Sequence, residues 1–85
     1  MPTILRIGSL RFVIWPNDHS PAHVHVFSGD GEAKIGIGAT RSHPWLIENR
    51  RMSRRDLAMA LAKVFEHREL LLSKWKEIHG GLDSE

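Results

Sequence analysis

The stretch Asn17-Asp18-His19-Ser20-Pro21-Ala22-His23-Val24-His25-Val26 decides how the rest of the chain is read. Its second half alternates imidazole with valine. Side chains of a strand point to opposite faces in turn, so His23 and His25 fall on one side of a sheet and Val24 and Val26 on the other. The valine side is expected to face a core and the histidine side solvent. The first half, with Asp18 and Pro21, carries the turn chemistry that leads a chain into such a strand. An antiparallel sheet with one dry and one wet face follows.

Working outward, Thr3 to Ile7 and Leu10 to Trp15 read as two short strands around Gly8-Ser9, and Pro16 ends the second because it lacks a ladder donor. His23 to Phe27 and Glu32 to Ile37 form a second hairpin around Ser28-Gly29-Asp30-Gly31. Sorting by parity puts Leu5, Ile7, Leu10, Phe12, Ile14, Val24, Val26, Ala33, Ile35 and Ile37 on the buried face. The other face collects Ile4, Arg6, Arg11, Val13, Trp15, His23, His25, Phe27, Glu32 and Lys34. Gly38 to Met52 has no clear period and reads as a loop, with Trp45-Leu46-Ile47 as a candidate fifth edge strand.

Ser53 marks a helix start, since its hydroxyl can cap free amides and Asp56 stands where a carboxylate reaches back in a variant of the capping box. From Arg54 to His79, Leu57, Leu61, Val64, Phe65, Leu71, Leu72, Trp75 and Ile78 recur at helical spacing and would cover the sheet. Gly80-Gly81 supplies the stop. At about 1.5 Å per residue this helix would run roughly 39 Å, long beside a small sheet. It is expected either to overhang, leaving Leu70, Leu71 and Trp75 for a partner helix or a second copy, or to break at Glu66-His67-Arg68.

The chain has 85 residues, 41% hydrophobic and 26% charged, which indicates a single folded domain over residues 1–85. A chain of this length buries only about 60–65% of its unfolded surface, so the core is thin. With no cysteine, disulfides and thiolate metal sites are excluded. The N-terminal apolar stretch is too short for a signal peptide and no run suits a membrane span, so a cytoplasmic location is expected. A net charge of +2 names no partner by itself. The local cluster Arg50, Arg51, Arg54 and Arg55 suits RNA, DNA or an acidic protein surface.

Three readings of the histidine segment stand side by side. In the first, His23 and His25, with Asp18 or His19, hold a divalent metal such as zinc or manganese, which accepts nitrogen and oxygen ligands. In the second, His19, His23 and His25 supply acid and base catalysis of phosphodiester cleavage, with Arg6, Arg11 or Lys34 stabilising the developing charge. In the third, Asp18, His19 and Pro21 build a turn and the histidines only bond across strands.

Several segments together resemble a small bacterial family known as domain of unknown function 4160. They are Pro2-Thr3-Ile4-Leu5-Arg6-Ile7-Gly8, Asn17-Asp18-His19 with Pro21-Ala22-His23-Val24-His25-Val26, Gly29-Asp30-Gly31-Glu32-Ala33-Lys34-Ile35, Ser53-Arg54-Arg55-Asp56-Leu57 and His67-Arg68-Glu69-Leu70-Leu71. The resemblance implies membership of a two-gene module of toxin-antitoxin type and carries no catalytic assignment. Ile37 to Trp45 departs from the family pattern.

The expected fold is α+β, a small mainly antiparallel sheet of two hairpins packed by one long C-terminal helix. The expected function is that of a cytoplasmic bacterial protein in a toxin-antitoxin-like module, acting by binding a small partner protein from a neighbouring gene. The alternative is a small ribonuclease or metal-dependent phosphodiesterase using His23 and His25.

Overall fold

The structure, a computed structural model, describes residues 3–19, 21–38 and 43–79. Five strands, β1 (Thr3–Ile7), β2 (Leu10–Val13), β3 (His23–Ser28), β4 (Gly31–Gly36) and β5 (Trp45–Arg50), precede two helices, α1 (Arg54–Glu66) and α2 (Arg68–Ile78). The strands form one antiparallel sheet in the order β1-β2-β3-β4-β5. The class is α+β, as the alternation and the single helical stripe require. Gly8 makes the first turn at φ +59, a left-handed conformation natural to glycine. The expected Gly80-Gly81 stop lies outside the described residues.

One face of the sheet buries Phe12, Val24, Val26, Ala33 and Ile35, joined from neighbouring segments by Ile14 and Ile37 and from the helices by Ala60, Val64, Leu71 and Trp75. Each large side chain removed from water there contributes about 1.5–3 kcal/mol before chain entropy is counted. Ser53 caps α1, its Oγ accepting from the Asp56 amide at 3.0 Å. The Asp56 carboxylate does not reach back along the helix. It accepts from Ser28 Oγ at 2.9 Å and so ties the first turn of α1 to the end of β3.

The single long helix is replaced by two. His67 (φ -107, ψ 25) departs from helical geometry, in the Glu66-His67-Arg68 segment where the length argument put a break. The turn keeps the second helix over the small sheet. Leu71 and Trp75 are therefore buried, and of the three residues an overhang would offer, Leu70 is the exposed one.

The candidate edge strand at Trp45-Leu46-Ile47 is present and runs on to Arg50, within the segment otherwise read as a loop. Every residue of β5 is exposed, so neither face imposes the alternation that betrayed the other strands. The ring of Trp45 lies where a Cβ on Gly36 would stand, which restricts that β4 position to glycine. Two irregularities shift parity. Ile4, skipped in the pairing of β1 with β2, packs partly against the core instead of lying on the wet face. Ile47 is skipped between β4 and β5 in the same way. Among the described residues, no helix is long and apolar enough to cross a membrane.

Candidate functional site

The turn between β2 and β3 is built by Asp18. Its Oδ2 accepts from the Trp15 amide at 3.0 Å, and its own amide donates to the Trp15 carbonyl at 3.1 Å. These reciprocal bonds fix the carboxylate beside the start of β3. His23 Nε2 lies 3.4 Å from Asp18 Oδ2, and His25 Nε2 lies 3.5 Å from Asp18 Oδ1. The two imidazoles meet edge to face with centroids 5.2 Å apart, as same-face residues two apart on a strand should.

Both rings are held by their other nitrogen. His23 Nδ1 donates to the Pro21 carbonyl at 2.9 Å, and His25 Nδ1 donates to Glu32 Oε2 at 3.2 Å. A carbonyl only accepts, so His23 carries its proton on Nδ1 and presents a lone pair at Nε2 when neutral. Burial pushes the His23 pKa below the ordinary histidine value, outweighing the Pro21 bond and the Asp18 charge that raise it. The Nε2 atoms of both rings are buried and without a hydrogen-bond partner.

His23 is not on a wet surface. It is 4% exposed and rests against Trp75 of α2, centroids 5.2 Å apart. Val13, assigned to the same solvated face, is fully buried. Parity identifies the face of a residue but not what arrives later in the chain to cover it.

Two hollows flank the histidines. One is lined by His25, Glu32, Lys34, Glu48 and Arg50, the other by Asn17, Asp18, His19, Pro21, His23, Lys34 and Ile47. Lys34 pairs with His25 across the β3–β4 ladder and lines both. Arg50 bonds Glu48 at 2.8 Å, and that bond holds the exposed Glu48 carboxyl below its ordinary pKa.

A family model described as Domain of unknown function (DUF4160) matches residues 9–76. The chain belongs to this family. No curated protein and no solved structure matches it. The DUF4160 span takes in Asp18, both histidines, Glu32, Lys34, Glu48, Arg50 and Trp75, and leaves β1 outside.

Of the candidate residues, this DUF4160 chain brings Asp18, His23, His25 and Lys34 together, with Arg50 at the edge. His19 is exposed on the rim of the second hollow. Arg6 is exposed, while Arg11 bonds Thr3 Oγ1 at 3.4 Å and covers the Phe27 ring at 4.9 Å, toward the far end of the strands. Arg51, Arg54 and Arg55 are exposed and line neither hollow. Arg51 takes a left-handed φ of 66, turning the chain away after β5. Glu32 and Glu48 were not singled out. Glu32 carried a signal, because it shares a sheet face with His25 and sits diagonally across the ladder from it, two residues along β4 from Lys34.

Proposed function

We propose that the face bearing Asp18, His23 and His25 binds and cleaves a phosphodiester, with single-stranded RNA the first substrate to try. What carries the reading is Lys34, a half-buried cation that lines both hollows beside the imidazoles and, among the described residues, forms no ion pair. An ammonium left unpaired beside proton-accepting groups suits a phosphate oxygen. The Asp18 carboxylate, which lines the second hollow, would take the proton of a ribose 2′-hydroxyl as that oxygen attacks the adjacent phosphorus, and the 5′-oxygen would leave as its P–O bond breaks, taking a proton from solvent in the open hollow. The hollows are open, which fits a polymer backbone better than a small molecule enclosed on all sides.

The test is cleavage of a labelled RNA oligonucleotide by the full chain. Lys34→Ala and His25→Ala are expected to lower the rate by about a hundredfold or more each, the usual size of an acid-base or electrostatic contribution. Cleavage that both folded variants retain in full would end the proposal.

A second reading is favoured by β5. It is hydrogen-bonded on one side to β4, is exposed throughout, and presents Trp45, Leu46 and Ile47 at 42%, 40% and 40% exposure. Such an edge accepts an added strand. This supports a bacterial, cytoplasmic toxin-antitoxin-like pair in which an extended segment of a small neighbouring-gene product pairs with β5. Co-purification of that product, lost in Leu46→Lys with Ile47→Pro, is the expected result; retention of the complex would count against the edge.

A further inference from the structure

We propose that Asp18, His23 and His25 form a divalent metal centre, with zinc the best-fitting ion. One donor atom from each residue lies within 4.8 Å of the others. Each imidazole stands at ligand-to-ligand spacing from one oxygen of the carboxylate, His23 Nε2 3.4 Å from Oδ2 and His25 Nε2 3.5 Å from Oδ1, against a tetrahedron edge of about 3.3 Å for metal–ligand bonds of about 2.0–2.1 Å.

Three independent features point to a cation. First, His23 is 4% exposed and its Nε2 is unpartnered, so a lone pair is aimed at a carboxylate oxygen in a place water does not reach. Two acceptors face to face repel unless a cation lies between them. One proton would satisfy one ring and leave the other, whereas a metal satisfies both nitrogens and the carboxylate together. Second, each ring is held from behind through Nδ1, His23 by a carbonyl and His25 by a carboxylate, the outer-shell arrangement that orients histidine ligands. Third, Asp18 and Glu32 offset a charge of 2+ when both imidazoles are neutral. Asp18 and His23 line the second hollow together with Lys34, whose ammonium would favour a hydroxide or phosphate oxygen beside the ion.

The inference rests on the phosphodiester reading for what the metal does, since bound water is deprotonated more easily, but not for whether it binds. Calorimetric titration of the full untagged chain with zinc chloride is expected to give stoichiometric binding. Asp18→Asn and His25→Gln are expected to weaken it at least tenfold to a hundredfold, and His43→Ala, at an exposed position stacked on Phe65 of α1, to leave it unchanged. Cobalt(II) added to the unaltered chain is expected to give the visible bands of a tetrahedral nitrogen-oxygen site, a readout that does not depend on any variant folding. Absence of binding by zinc, manganese and iron(II), or binding that survives Asp18→Asn and His25→Gln unchanged, overturns the inference. Zinc binding without RNA cleavage leaves the metal centre standing and removes the phosphodiester reading; cleavage that persists in metal-free protein keeps that reading and removes the metal's part in it, while the titration alone decides whether the centre binds.

Discussion

The indole of Trp75 lies 5.2 Å from the imidazole of His23, so the final helix forms one wall of a site whose other residues belong to the sheet and the turn before it. Trp75 is also 1% exposed and among the largest side chains in the core. Trp75→Ala is expected to cost about 3–5 kcal/mol, a large share of the roughly 5–15 kcal/mol that stabilises a domain. Trp75→Phe should cost less, because an aromatic ring still fills much of the space. Urea unfolding curves measure both; a loss below about 1 kcal/mol for the alanine variant would contradict the packing described.

Glu32 is expected to act on His25 without touching what His25 touches. Its carboxylate fixes the ring and the tautomer that presents Nε2. Glu32→Gln keeps the shape and removes the charge, and should weaken zinc binding by about 10–100-fold while leaving the thermal midpoint of the apo protein nearly unchanged. Titration beside a melting curve separates this from a folding defect, which would lower both together.

Gly36 and Trp45 form a contact that tolerates no side chain. Gly36→Ala is expected to cost about 1–3 kcal/mol, the usual penalty of overpacking. Adding Trp45→Ala should recover much of that loss by vacating the space. A double-mutant cycle in urea tests the pair, and strict additivity would show that the ring does not press on Gly36 in solution.

Ser28 and Asp56 join the sheet to the start of α1 by a 2.9 Å bond. Ser28→Ala should cost about 1 kcal/mol, and the double variant with Asp56→Ala should cost less than the sum of the two. Amide hydrogen exchange adds a local readout: protection in the first turn of α1 should fall more than protection in α2.

Most of the sheet was legible because the histidine-valine alternation and the glycine turns fix both faces and both hairpins. β5 was legible only as a candidate at Trp45-Leu46-Ile47, since a strand exposed on both sides has no alternation to show. The skipped residues Ile4 and Ile47 were hidden as well, because a parity count assumes an unbroken register. At the site, Asp18, His23 and His25 were readable as a group from spacing alone. The burial of His23 was not, as it depends on a tryptophan from the far end of the chain. The arginine cluster is a feature separate from the histidines: the turn at Arg51 leaves only Arg50 lining a hollow beside them, with Arg51, Arg54 and Arg55 exposed elsewhere.

The seat of His23 on Trp75 also bears on when the site exists. All of its polar residues precede α2 in the chain and are made before it leaves the ribosome, yet His23 is walled in only once α2 has docked. A chain in which α2 has not docked would carry the complete histidine motif with His23 unwalled, so the buried geometry around that imidazole is completed by α2.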